Sequence, residues 1–295
     1  MTETSAAPSA TGSSWTCPFC PLACDHLGVG VADATPSLVL LGGDCARASR
    51  GLAQFGAAPA HVSHAAPQVD GQPCDLATAV AAAARLLDAS RQPLFGGLGT
   101  DVAGARALYP LACATGAICD AGAGEALMHG LRALQDRGQF TTTLAEVRTR
   151  ADLIVFVGGL ATDLAPLLAQ RCGIGDAQVP QRHVVVLGPA AGDAATLAQW
   201  AALGGVTTEA VALHGDLFDT LALLSALLRA PVSARPMPAA PDALPALRVL
   251  AERLRAARYA VLVGTPARLP AQGALIVEAV HQLVNSLNRS TRAAA

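Results

Sequence analysis

A chain of 295 residues has room for one or two α/β domains and a small appendage. With 52% hydrophobic and only 14% charged residues it has an ordinary interior to bury, which excludes wholesale disorder. A net charge of -2 with no basic run excludes the electrostatic footprint of a nucleic-acid or anionic-membrane binder.

Residues 1–14 are small and polar, with neither a basic nor an apolar signal region, and are expected to form a disordered tail. No apolar run approaches the roughly 20 residues that cross a bilayer. The expected location is therefore the cytoplasm. Aromatics make up 3% of the chain, so Ala, Leu and Val fill the interior and apolar surface is left for partners. All 20 basic residues are arginine, a bias to which no function is attached.

The stretch 15–60 is rich in cysteine and punctuated by proline, and is too short to build its own core without a staple. It reads as a metal-held lobe. From 61 to 295 the pattern becomes an α/β region, with two subdomains expected to meet near residue 150. Helical spacing covers Ala77 to Leu87, a strand begins at Pro93 to Phe95, and Val102 to Cys113 is again helical. A short strand near Ala117 to Cys119 leads into helical signals from Glu125 to Gln135. Leu153 to Val157 is a continuous apolar run ending in two glycines, the pattern of a strand buried on both faces. Further strands are expected at His183 to Leu187, Val206 to Leu213 and Tyr259 to Val263, and helices at Leu217 to Leu228, Ala243 to Arg255 and Gln272 to Leu287. Strands separated by helices predict an α/β fold with doubly wound, mostly parallel sheets. Pro231 to Pro241, with four prolines, reads as a linker.

Eight cysteines in a chain expected to be cytoplasmic argue for metal ligation or buried thiols rather than disulfides. Cys17, Cys20, Cys24 and Cys45 form C-x2-C-x3-C-x20-C, three close thiols and a distant fourth able to surround a [4Fe-4S] cluster. Pro18 and Pro21 stiffen the turns between them. Structural zinc on the same thiolates and four buried cysteines without metal are the competing readings. Cys74, Cys113, Cys119 and Cys172 share no spacing and read as small core residues. Gly97, Gly99 and Gly104 resemble a shortened phosphate loop, although glycines at such turns are more often steric accommodations. His26 reads as a surface neighbour of the motif, His61 and His64 as loop residues, and His129 stays ambiguous between site and structure.

Beyond the cysteines, Gly116-Ala117-Ile118, Asp120, Ala133 to Asp136, Gly138, Thr143 to Arg148, Arg150 to Leu153 and the closing Leu287 to Ala293 resemble the B-type subunit of formylmethanofuran dehydrogenase, including its bacterial formyltransferase/hydrolase form. The resemblance implies a molybdopterin oxidoreductase-like fold with an N-terminal [4Fe-4S] lobe and a tungsto- or molybdopterin. It implies partner subunits that handle formyl groups in tetrahydromethanopterin-linked one-carbon metabolism. Three departures stand out. Counting without gaps places the family's metal-ligating cysteine on Ala126, and a shifted count onto His129-Gly130 still supplies no thiolate. Gly188-Pro189-Ala190-Ala191 lacks the acidic residue and arginine that hold cofactor groups. Gly158 to Asp163 also departs from the pattern. Alanine cannot ligate tungsten or molybdenum, so the pterin is expected to be absent and the chain to act as a scaffold. A working oxidoreductase and an unrelated zinc-stabilised interaction module are the alternative readings.

Overall fold

The computed structural model describes residues 15–31, 37–55, 66–229 and 243–295. The expected tail, His61, His64 and the Pro231 to Pro241 linker lie outside them. Two short strands, β1 (Gly28–Val31) and β2 (Leu38–Leu41), pair with each other, and α1 (Ala46–Ala53) follows the last cysteine of the motif. Next come the small antiparallel pair β3 (Gln68–Val69) and β4 (Gln72–Pro73), then α2 (Leu76–Ala89), β5 (Leu94–Leu98), α3 (Val102–Thr115) and β6 (Ile118–Ala121). The remainder runs through α4 (Gly124–Arg137), α5 (Leu144–Arg150), β7 (Leu153–Val157), α6 (Leu168–Arg171), β8 (Arg182–Leu187), α7 (Asp193–Ala201) and β9 (Val206–Val211). It closes with α8 (Leu217–Arg229), α9 (Leu244–Ala256), β10 (Tyr259–Gly264), α10 (Gly273–Leu287) and β11 (Arg292–Ala294).

The chain forms two compact units. As far as the residues are described, one comprises 30–39 and 51–124 and the other 15–29, 40–50 and 125–295, so the motif cysteines share a unit with the large sheet.

That sheet has five parallel strands in the order β11-β10-β7-β8-β9. Every residue of β7 is buried, because both faces are covered. Leu153, Val155 and Val157 face one way, toward Leu221, Leu224, Leu247, Leu250 and Leu283 of α8, α9 and α10. Ile154 and Phe156 face the other way, toward Val147, Leu168, Leu197 and Trp200. Strand period 2 divides one apolar run between two cores. Arg182 opens β8 at 2% exposure, and its guanidinium donates to the carbonyls of Val147, Cys172 and Arg148 at 3.1, 3.0 and 2.9 Å. One buried fork thereby joins the ends of α5 and α6, sharing the Val147 carbonyl with the N–H of Ala151.

From β7 the chain winds outward through β8 to β9, then returns to the other side of β7 as β10. The order reverses between β7 and β10, and ligands of such sheets bind beyond the carboxyl ends of strands at that point.

In the smaller unit, β5 and β6 form a two-stranded parallel ribbon, with Leu94 opposite Ile118 and Phe95 opposite Cys119. Local signals build its helices: Asp75 caps α2 through Thr78, Asp101 caps α3 through Gly104, and Gly116 ends α3 in the left-handed region. Among the described residues, no helix is long and apolar enough to cross a membrane.

Candidate functional site

The cysteine lobe is built by backbone turns. The N–H of Ala23 donates to the carbonyl of Cys20 at 3.2 Å, and that of Cys17 to the carbonyl of Cys24 at 2.9 Å. The first and third motif cysteines are thus tied together across the loop. Ala23 takes a positive φ of 42°, a conformation costly for a residue with a Cβ, and one that turns the chain back on itself. Cys45 arrives from the other side, immediately before α1, where its carbonyl accepts the N–H of Ser49 at 2.9 Å. That is the end of a helix at which negative charge is favoured. At Gly43 a Cβ would lie 2.8 Å from the side chain of Leu27, so glycine lets the two halves of the motif approach.

Cys17, Cys24 and Cys45 are buried and form one apolar cluster with Leu27 and Ala48, while Cys20 is half-buried. Burial pushes the Cys24 thiol up. The Arg171 guanidinium opposes that shift, and Cys20, Cys17 and Cys45 reinforce it. Cys17, Cys20 and Cys45 thus all lie within electrostatic reach of Cys24. Among the described residues no three His, Cys, Asp or Glu side chains are close enough to hold a single metal ion. Zinc at about 2.3 Å from each thiolate needs sulfurs nearly in contact. Four thiols of this kind are a donor set that a four-iron cluster takes.

The lobe rests on the large sheet's own loops. Leu22 packs on both the cysteine cluster and one of the sheet's cores, and Leu167 packs on the cysteine cluster. Arg47 of α1 donates to the carbonyls of Phe19 and Asp163, the latter at 3.4 Å. Arg171 ion-pairs with Asp25 at 3.1 Å and meets Nδ1 of His26 at 3.0 Å. His26 is exposed and engaged by arginine, in keeping with a surface neighbour rather than a ligand.

At the sheet's switch point, the loops after β7 and β10 are clasped. Arg268 ion-pairs with Asp163 and donates to the carbonyl of Leu160 at 3.4 Å. Asp193, at 6% exposure, accepts the N–H groups of Leu160 and Ala190 at 3.1 and 2.8 Å. A Cβ at Gly159 would lie 3.1 Å from that carboxylate. The loops after β7 and β8 are consequently drawn onto each other. Neither Asp193 nor Arg268 was legible in the sequence as a tie; the weak signal was an aspartate opening a helix after a strand and a glycine turn. The lack of an acidic residue at Gly188 to Ala191 is qualified by Asp193, three residues on from Ala190, whose carboxylate is spent on backbone N–H groups.

Ala126 lies half-buried on α4, where its methyl group offers no ligand to a metal. His129, one turn further along, is 3% exposed and packs against the start of α10, where a Cβ at Gly273 would fall 2.5 to 2.8 Å from ring atoms. Its Nδ1 is buried without a hydrogen-bond partner among the described residues. The residues at the expected pterin position supply a methyl group and clasped loops in place of a thiolate and anchoring charges. They do not fit that cofactor.

Other expectations resolve individually. Cys172 is fully buried and its thiol is pushed up to about 12, chiefly by burial, as befits an inert core residue. Cys113 and Cys119 are corrected: both are exposed, and Cys74 is half-buried. Their apolar neighbours in sequence create no core because the ribbon and helices that carry them bury almost nothing. The N–H of Gly104 is taken by Asp101 at 2.7 Å, and a Cβ there would collide with the Thr100 side chain, so the steric reading of that glycine holds over phosphate binding.

No family model matches the chain. It is 34% identical over 228 residues to the B-type subunit of the formyltransferase/hydrolase complex Fhc of Methylorubrum extorquens, a match covering 76% of this chain and 57% of the relative. The chain thus spans a little over half the length of that curated relative. Its fold is similar to a chain in the X-ray crystal structure of the FhcABCD complex from the same organism with methylofuran, with a TM-score of 0.62 and 33% identity. That match covers 77% of this chain and 59% of the other.

Proposed function

We propose that this chain, a relative of the B-type subunit of the formyltransferase/hydrolase complex, works as a cytoplasmic scaffold in such a complex in formyl-level one-carbon metabolism. The observation that carries this reading is a split within one unit. Cys17, Cys20 and Cys45 lie around Cys24, while the position where the resemblance implies a pterin-metal ligand is Ala126 and the switch-point loops are clasped by Asp193 and Arg268.

In this reading Cys17, Cys20, Cys24 and Cys45 hold a [4Fe-4S] cluster that staples a lobe too small to fold on apolar burial alone. When bound, the cluster supplies four metal–thiolate attachments and the possibility of one-electron exchange. The chain's own residues do the rest. Leu27 and Ala48 exclude water from the sulfurs, Cys45 places its sulfur at the start of α1, and Arg171 sets positive charge beside Cys24. Arg47 fixes the lobe to the loop after β7. No proton or hydride transfer is assigned to this chain, and formyl chemistry belongs to its partners.

The test is elemental analysis of the complex purified without oxygen, counting iron, zinc, tungsten and molybdenum per copy of this chain. Iron at about four per chain without tungsten or molybdenum is the expected result. Stoichiometric tungsten or molybdenum would overturn the scaffold reading, and one zinc with no iron would overturn the cluster.

A further inference from the structure

In the larger unit the C-terminal ends of α4, α8 and α10 frame a groove of about 1100 Å³. Arg137 is the last residue of α4, Arg229 the last of α8, and Arg289 lies just beyond α10; no aspartate or glutamate lines the space between them. Arg137 is partly neutralised by Glu278 at 3.0 Å. Arg229 and Arg289 make no ion pair or hydrogen bond among the described residues. Arginine at a helix C-terminus is ordinary, since the last carbonyls carry partial negative charge. Here those carbonyls are served by other groups. Leu134 accepts the N–H of Gly138 at 3.0 Å, Leu227 accepts the Arg255 guanidinium at 2.6 Å, and Val284 and Leu287 accept the N–H groups of Asn288 and Thr291 at 3.0 and 2.9 Å.

His281 adds a directed donor. It is 7% exposed, and its Nδ1 accepts the backbone N–H of Phe140 at 3.1 Å. An imidazole that accepts at Nδ1 carries its proton on Nε2 when neutral. That N–H has no protein partner among the described residues, and the ring lines the groove, so only water or a ligand can accept from it. A neutral or apolar occupant would leave two guanidinium groups and the imidazole N–H unanswered. An oxyanion answers all three, because its oxygens accept from guanidinium forks and from a neutral N–H alike. A groove of this volume takes a molecule of cofactor size rather than a lone inorganic ion.

We propose that this groove binds a soluble small molecule bearing a multiply charged oxyanion, phosphate or carboxylate, with Arg229 and Arg289 supplying the charge and Nε2 of His281 a fixed donor between them and the helix wall. Arg137, shared with Glu278, contributes less. The assignment goes beyond the scaffold reading and does not depend on it, since the three helices that frame the groove carry no cysteine of the motif.

The full chain is titrated with sodium pyrophosphate and, separately, with citrate in a chloride buffer, and binding is followed by calorimetry. One saturable site is expected for at least one of the two probes. Arg229→Gln and Arg289→Gln change exposed side chains, so circular dichroism should be retained while each weakens binding by about tenfold or more. Arg85→Gln, an exposed arginine on α2, serves as the control and should bind as the wild type does. In NMR of isotope-labelled histidine side chains, the Nε2 signal of His281 should shift on saturation. Tighter binding of pyrophosphate supports the site and assigns it to a phosphate compound; tighter binding of citrate supports it and assigns a carboxylate compound. The proposal is overturned by any of three results: no saturable binding of either probe, undiminished binding in both groove variants, or an equal loss in Arg85→Gln, which would mark unspecific attraction by surface charge.

Discussion

The carboxylate of Asp193 at the start of α7 accepts the backbone N–H of Leu160 at 3.1 Å, across a sequence separation of 33 residues. The same Oδ2 accepts Ala190 N–H at 2.8 Å, so one buried group holds the loop after β7 to the loop after β8. Hydrogen bonds from neutral donors to a charged acceptor contribute about 1.5–3 kcal/mol, and an orphaned buried N–H adds its desolvation cost. Asp193→Ala is therefore expected to lower unfolding stability by about 2–4 kcal/mol, and Asp193→Asn by less, because the amide oxygen still accepts. Urea unfolding checks this through the midpoint; equal midpoints for wild type and Asp193→Ala would show that the tie contributes nothing.

Gly273 and His129 form a second such pair. Glycine at the first residue of α10 leaves room for the imidazole of α4, and any Cβ there would enter the ring's contact distance. Gly273→Ala is expected to cost about 1–3 kcal/mol by overpacking. In the double variant with His129→Ala, most of that cost should vanish, a coupling of about 1 kcal/mol or more. Additive losses in the double-mutant cycle would contradict the contact.

His281 of α10 is buried, and its Nδ1 accepts the backbone N–H of Phe140 at 3.1 Å. Burial lowers its pKa from the ordinary 6.5, and burial together with Arg253 does the same for His183. A depressed imidazole means that the unfolded chain binds protons first as pH falls. The stabilisation is thus complete above about 6.5 and declines below it toward the folded-state value. Unfolding free energy measured at steps between pH 7.5 and 5 should drop on the acid side. The drop should be shallower in His281→Asn, which removes the titrating ring; an unchanged slope would mean that His281 is not a contributor.

Replacing single motif cysteines separates ligands from bystanders. Cys17→Ser, Cys24→Ser and Cys45→Ser are each expected to lower bound iron by half or more and to loosen the lobe, because a cluster lost from one thiolate exposes the others. Cys172→Ser and Cys113→Ser should leave iron unchanged. Iron content per chain, read beside limited proteolysis of the lobe, tests the assignment, and retention of full iron by all three motif variants would remove it.

Much of this molecule could be read from residue order. The alternation of helical and apolar segments located β7, β8, β9, β10 and the long helices to within a few residues, since hydrophobic period is a local property. The spacing of Cys17, Cys20, Cys24 and Cys45 likewise marked them as one set, and Ala126 stood where the resemblance puts a metal-ligating cysteine. Short elements escaped: β11 pairs beside β10 only after the chain has turned at Asn288, whose side chain bonds both the N–H and the carbonyl of Ala293. A three-residue strand carries too little periodicity to be seen in isolation.

Spacing could not say that β10 returns beside β7, which creates the switch point, because strand order depends on long-range pairing. Nor could it foresee Asp193 closing two loops, Arg268 joining Asp163, or Arg182 serving three carbonyls, since each of these ties needs at least one partner more than thirty residues away in sequence. Cys113 and Cys172 make the contrast plain: alike in composition and unlike in fate, one lies on a bare helix and the other inside a closed core. Residue type sets what a side chain can do, and the packing around it sets whether water, metal or protein receives it.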